Sequence, residues 1–257
     1  MSTLTRNAAA RLDAELAGSV LLPDDPGYDD ARAVWNATVD RRPAIIVRCA
    51  SEGDVARAIA FAREHELPLS IRGGGHHIAG NAVCDDGLVI DLSGQKDVEV
   101  DHEARRARVA PGATLADVDR ATQVHGLAVP VGINSTTGIA GLTLGGGFGW
   151  LSRKHGLTVD SLVAADVVTA DGRTLTASAE ENADLFWALR GGGGNFGVVT
   201  EFVFDLHPVG PDVLSGLVVY PLDRGAEVLA RYRELVAMLP EDANVWVVLR
   251  QAPPLPF

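Results

Sequence analysis

Seventeen of the 28 glycines in this 257-residue chain fall into three short stretches: four in 73–80, eight in 126–149 and five in 191–197. Glycine has no Cβ, so such stretches bend where other residues cannot, and successive backbone N–H groups can converge on one anion. A single cluster would read as a tight turn. Three clusters, one of them Arg72-Gly73-Gly74-Gly75-His76 directly after an apolar run, read better as loops holding a phosphate-bearing cofactor. The charge fits a cradle of amides rather than lysines, because 34 acidic residues against 22 basic ones give a net charge of −12. That balance also excludes general nucleic-acid binding, which needs a basic face.

Between the glycine stretches the hydrophobic pattern is that of an α+β protein. Residues 1–40 form a lead-in with one weak helix, Ala8–Leu16. Ala44–Cys49 reads as a buried strand. Ser51 and Asp54 have the spacing of a capping box ahead of a helix bearing Val55, Ala58, Ile59 and Ala62. Pro68 ends that unit, and Leu69–Arg72 and Gly87–Leu92 read as further strands. From Val98 the pattern turns to hairpins: Val98–Val100 with Arg106–Ala110, then Val163–Thr169 with Arg173–Ala177 across Asp171-Gly172. Thr114 and Asp117 cap a helix ending at Gly126, Asp184–Leu189 is a short helix, and Val198–Leu206 is a half-buried strand. The domain expected over 41–208 thus has two lobes, about 41–95 and 96–208. Beyond Pro208, a strand (Leu214–Tyr220), a helix (Arg224–Leu239) and a strand (Val245–Leu249) open a second domain, 212–257. One such unit cannot enclose a core, so that domain is expected to be incomplete and its apolar face to aggregate or pair.

Several familiar sites fail on context. Gly192-x-Gly194-x-x-Gly197 matches the dinucleotide fingerprint as a string, but its helix precedes it and a strand follows, the reverse of what a nicotinamide site needs. No Walker loop and no Gly-x-Ser-x-Gly elbow occurs. His76 and His77 are adjacent and so point to opposite faces of an extended chain. Cys84 is the only further ligand near them, so a metal site there is poorly founded. A histidine ending a phosphate loop stands beside the cofactor itself, where a neutral imidazole nitrogen is a nucleophile toward an electrophilic ring methyl. The four tryptophans, Trp35, Trp150, Trp187 and Trp246, are scattered and read as core residues. The two cysteines, Cys49 and Cys84, are too few for a disulfide scaffold. No apolar run nears the ~20 residues of a membrane span, and the opening residues show no secretory pattern. A cytoplasmic location is the expectation.

Specific segments carry a family resemblance. They include Pro43-Ala44-Ile45-Ile46-Val47, Arg72-Gly73-Gly74-Gly75-His76, Pro111-Gly112-Ala113-Thr114 and Gly138-Ile139-Ala140-Gly141-Leu142-Thr143-Leu144-Gly145-Gly146-Gly147. Gly156-Leu157-Thr158-Val159-Asp160 and Leu185-Phe186-Trp187 through Gly197-Val198-Val199-Thr200 continue the pattern. From about Leu21 to its last residue the chain resembles the FAD-linked oxidases of the berberine-bridge-enzyme-like type. These belong to the superfamily named for vanillyl-alcohol oxidase and p-cresol methylhydroxylase.

The resemblance implies a two-lobed FAD-binding domain of the PCMH type, then a substrate domain on an antiparallel sheet, with the flavin between them. It implies that His76 bonds the 8α-methyl of the isoalloxazine. Arg72, Gly73, Gly74, Gly75 and His77 would lie along the pyrophosphate. Gly132, Asn134, Thr136, Thr137, Gly138, Gly141, Leu142 and Gly145 supply the facing run, and Val199 an adenine-side contact. Many members attach the flavin a second time through a cysteine. Asn134 occupies that position here, so a single link through His76 is expected. Thr137, no larger than valine, stands where the family governs oxygen access and leaves dioxygen open as acceptor. The family's catalytic base lies in the second domain, and no residue here is assigned that part.

The expected activity is hydride transfer from a small alcohol, sugar or secondary metabolite to FAD and then to oxygen. A non-catalytic flavin-binding module, or half-enzyme, is the rival, and a nicotinamide-dependent dehydrogenase a distant third.

Overall fold

The computed structural model describes residues 6–250; residues 1–5 and 251–257 lie outside the described residues. The lead-in holds helix α1 (Arg6–Glu15), strand β1 (Ser19–Leu21) and the short helix α2 (Tyr28–Arg32). Strand β2 (Ile45–Arg48), helix α3 (Glu52–Glu64), strand β3 (Leu69–Arg72) and strand β4 (Leu88–Asp91) follow. These strands form one sheet in the order β1-β2-β4-β3, with β2, β4 and β3 parallel and β1 antiparallel at the edge. The inner strands β2 and β4 are nearly continuous apolar runs because both of their faces are covered, whereas β3 at the far edge, Leu-Ser-Ile-Arg, is partly open. Ile45, Val47, Leu88 and Ile90 are fully buried against Val55 and Ala58 of α3 and Leu12 of α1.

The start of α3 corrects one expectation. Ser51 accepts from Asp54 N–H as an N-cap should, but the Asp54 carboxylate does not return to the cap. It accepts instead from Ala50 N (2.9 Å), Ala17 N (3.0 Å) and Gly18 N (3.0 Å), tying the α1–β1 corner to the head of α3. Burial alone would raise the Asp54 pKa, but these amides and Ser51 hold it below the usual carboxylate range.

The second sheet is antiparallel. Its strands are β5 (Val98–Asp101), β6 (Arg106–Val109), β8 (Leu162–Val168), β9 (Thr174–Ser178) and β10 (Val198–Asp205), in the order β5-β6-β10-β8-β9. Helix α4 (Leu115–Gln123), the two-residue strand β7 (Leu127–Ala128), helix α5 (Ile139–Leu144) and helix α6 (Ser152–His155) lie between β6 and β8, and helix α7 (Ala183–Leu189) follows β9. Here Thr114 and Asp117 cap the helix as expected, and they do so as a full capping box: the Thr114 side chain caps α4 and Asp117 closes back on Thr114 N (2.9 Å). Phe202, Phe204, Leu115, Ile139 and Leu189 fill this sheet's core. Val168 and Val198 of the second sheet belong to the core around α3, and Thr200 Oγ1 donates to Glu52 Oε1 (2.9 Å) at the head of that helix. One helix therefore serves both sheets.

Strand β11 (His207–Pro208) pairs with β7, and helix α8 (Gly225–Met238) stands where a helix was expected. The expected strands Leu214–Tyr220 and Val245–Leu249 do not form. A strand needs a neighbour for its amides and carbonyls, and among the described residues these segments have none. Their apolar residues stay exposed, Leu214, Leu217 and Val219 among them. What holds this segment is one corner of the main body. Arg153 donates to Val236 O and Leu239 O, Lys154 pairs with Asp242, and Asn244 donates to Trp150 O. No helix among the described residues is long and apolar enough to cross a membrane.

Candidate flavin site

The site is built where two glycine stretches meet. Strand β3 ends at Arg72, and Leu92 N donates to Arg72 O (2.8 Å), fixing where the chain leaves the sheet. The loop that follows lies backbone on backbone against the start of α5. A Cβ on Gly74 would collide with Gly138 N, and a Cβ on Gly138 with Gly74 N. Gly75 has φ +69°, a left-handed conformation that side chains resist. The α5 side is pinned by Leu115 N donating to Thr137 O and Ile139 N donating to Ala113 O, each 2.9 Å.

Three of the expected residues come together around one imidazole. His76 Nε2 lies 3.0 Å from Thr136 Oγ1, and that hydroxyl donates to Asn134 Oδ1 (3.0 Å). Asn134 Oδ1 also accepts from Thr136 N (3.2 Å), and Thr137 N donates to Asn134 O (3.0 Å), which makes 134–137 a self-bonded turn. Burial lowers the His76 pKa below the usual histidine range, so the neutral ring dominates at neutral pH. Trp35 was missed by the sequence reading. Its backbone N–H donates to Gly75 O (3.0 Å), and its indole stacks on His76 at 5.4 Å and 22°. It lies 41 positions upstream of His76, and no spacing or motif could have joined the two.

The remaining candidates divide. Gly132 packs between Leu142 and Leu115, so it and Leu142 shape the turn. Gly145 ends α5 and is exposed. His77 is exposed, and its carbonyl closes a turn with Gly80 N (2.9 Å). Val199 sits in β10 with its side chain in the core of the second sheet, apart from this cluster. The tryptophans correct the sequence reading, since Trp35, Trp150 and Trp187 are 59%, 53% and 79% exposed and Trp246 37%. Trp150 and Trp246 pack on each other at 4.4 Å beside Phe148, at the corner that holds the C-terminal segment.

Residues 43–178, just over half of the chain, match the family described as FAD binding domain. The chain belongs to the FAD binding domain family. Its relatives agree. It is 38% identical over 205 residues to the (R)-6-hydroxynicotine oxidase of Paenarthrobacter nicotinovorans, covering 80% of this chain and 45% of that one. The crystal structure of 6-hydroxy-D-nicotine oxidase from Arthrobacter nicotinovorans superposes with a TM-score of 0.83 at 36% identity, over 86% of this chain and 49% of that one. A glucooligosaccharide oxidase from Acremonium strictum with a 6-S-cysteinyl, 8α-N1-histidyl FAD gives a TM-score of 0.73 at 35% identity, over 77% of this chain and 42% of that one. The chain thus spans about half the length of the curated relatives it matches. The resemblance to FAD-linked oxidases and the α+β fold are borne out, and the nicotinamide reading falls away.

The residues present fit the FAD of this family. Gly141 has nothing within 4 Å of where its Cβ would be. Glycine inside a helix costs about 1 kcal/mol relative to alanine, and nothing in the chain's own packing asks for it here. Space kept clear on α5 beside the Gly74–Gly138 contact is what a diphosphate backbone would take up. Arg72 Nε adds an enclosed donor without a partner, while another nitrogen of the same guanidinium donates to Ala31 O.

Proposed function

We propose that this protein is the flavin-binding part of an FAD-dependent oxidase acting on a small alcohol, sugar or secondary metabolite. The observation that carries the reading is the meeting of the Arg72–His76 loop with the 134–138 turn around a single neutral imidazole. The FAD-binding domain runs over 41–208, in lobes of about 41–95 and 96–208. Residues 212–257 begin the substrate domain.

FAD, when bound, accepts a hydride equivalent and passes two electrons to an acceptor, here dioxygen. The chain's part is to hold and orient it. Backbone amides of Gly73, Gly74, Gly75 and His77, with Arg72, would take the pyrophosphate; Gly132, Gly138, Gly141, Leu142 and Gly145 face it, and Val199 borders the adenine. His76 is the single covalent anchor at the 8α-methyl, because Asn134 at the second position has no thiolate to offer. Thr137 leaves oxygen a path past a small side chain. Covalent attachment keeps the cofactor in place and makes it more oxidising. Both cysteines are free, which suits a reducing compartment and favours the cytoplasm.

The test is direct. The purified protein is denatured and the separated polypeptide examined for flavin fluorescence beside His76→Ala. A fluorescent wild type and a dark variant support the reading, and a wild type that takes up no FAD overturns it. The second reading, a flavin-binding half-enzyme without turnover, is favoured by the exposed apolar residues of 213–249. Anaerobic mixing distinguishes the two. A flavin bleached by candidate substrates indicates the oxidase, and one bleached only by dithionite the half-enzyme.

A further inference from the structure

The hydrogen bonds around His76 carry a direction. Asn134 Oδ1 accepts from Thr136 N–H at 3.2 Å, so the amide is turned with its oxygen toward the backbone and not its NH2. That oxygen lies 3.0 Å from Thr136 Oγ1. Two oxygens at this distance need a proton between them, and a carbonyl has none to give. The hydroxyl proton of Thr136 is therefore committed to Asn134. Thr136 Oγ1 can then only accept from its third neighbour, His76 Nε2 at 3.0 Å. A neutral imidazole has one N–H, and here Nε2 bears it. The lone pair is left on Nδ1, which has no hydrogen bond among the described residues, while Trp35 restrains the ring by stacking on it.

We propose that Asn134 and Thr136 are positioning residues that fix His76 as its Nε2–H tautomer and so make Nδ1 the nitrogen that joins the flavin. The inference rests on the proposed attachment at His76 and names how this chain directs it. In the step, the Nδ1 lone pair forms a bond to C8α and a C8α–H bond breaks. Its electron pair stays on the ring system, which is reduced by two electrons. The C8α proton and the Nε2 proton account for the two hydrogens gained. Dioxygen then takes up two electrons and two protons and leaves as hydrogen peroxide. Once Nε2 has lost its proton it becomes an acceptor, and the Thr136 hydroxyl can turn to donate to it.

Asn134 thus does more than fill a place without a thiolate. Removing its carbonyl releases the Thr136 proton, which would then go to Nε2 and favour the opposite tautomer. The loss of one neutral hydrogen bond corresponds to roughly a fivefold change in the tautomer ratio.

The experiment uses the 15N-histidine-labelled chain purified flavin-free from riboflavin-starved cells. Long-range 1H–15N correlation reads the His76 tautomer, and linkage at Nδ1 or Nε2 is then identified on the flavin-bearing peptide after FAD is added. The expected wild type has a bare Nδ1, a protonated Nε2 and flavin on Nδ1. Asn134→Ala is expected to move the ratio toward Nδ1–H roughly fivefold and to slow attachment, whereas Asn134→Asp, which keeps the acceptor, restores both. A wild type with the proton on Nδ1, a link through Nε2, or an Asn134→Ala chain with an unchanged tautomer overturns the proposal. A wild type with the expected tautomer but no flavin on His76 overturns the attachment reading instead, and the two failures are told apart by the flavin-free spectrum.

Discussion

At the scale of single residues the glycines separate into those the protein needs for itself and those it keeps for something else. Gly74 and Gly138 are in backbone contact, so Gly74→Ala or Gly138→Ala must push the two loops apart. The expected cost is about 1–3 kcal/mol, with loss of FAD uptake, read from melting curves with and without the cofactor. Gly141→Ala should behave oppositely. Its surroundings are open, so alanine is expected to stabilise the flavin-free chain by up to about 1 kcal/mol while weakening FAD uptake. A Gly141→Ala chain less stable than wild type without FAD would show that the position serves packing. His76 was legible from the sequence because it ends a glycine loop. Its partner Thr136, and Asn134 bonded to Thr136, were legible only as members of a run, because the Thr136–His76 bond is a tertiary contact between residues 60 positions apart. Trp35 was not legible at all: a tryptophan in a polar lead-in gives no sign of which surface it will cover.

At the scale of elements, Asp54 shows how one side chain joins three segments. Its carboxylate takes amides from the α1–β1 corner and from the turn before α3. Asp54→Ala would leave these amides without their acceptor, and a loss of about 3 kcal/mol or more is expected, measured by denaturant unfolding. The pH dependence follows from the sign of the shift. Because the folded pKa is depressed, this stabilisation is present above the unfolded value near 4 and is lost as pH falls through the folded one. The hairpin across Asp171-Gly172 was legible because turn chemistry and alternation agreed, and β8 and β9 pair there. The strands expected at 214–220 and 245–249 satisfied the same composition rule and do not form. β-branched residues raise the propensity for a strand, but a sheet needs a second strand at hydrogen-bonding distance.

For the whole molecule, the acid limb of stability has a named contributor. His155 ends α6 and stacks on His207 of β11 at 4.1 Å, its Nε2 is enclosed without a partner, and Ser161 Oγ lies 3.0 Å from His207 Nε2. Burial lowers both pKa values, and for His155 the His207 and Lys154 charges add to it. Folding thus favours two neutral rings. Their contribution is complete above the free value near 6.5 and is lost as pH falls through the depressed values. Melting temperature is expected to drop as pH falls below about 6.5, and less steeply in His155→Phe; equal slopes would clear the pair of this part. The exposed apolar residues of 213–249 should make this chain self-associate with concentration in sedimentation, and a clean monomer across the range would contradict that. The packing of α3 against both sheets bears on how a cofactor gets in. Halves that share a core around one helix cannot swing apart like a clamshell without tearing that core open. FAD would therefore have to reach its site past the glycine loops, and its rate of entry would report on those loops rather than on any motion of the halves.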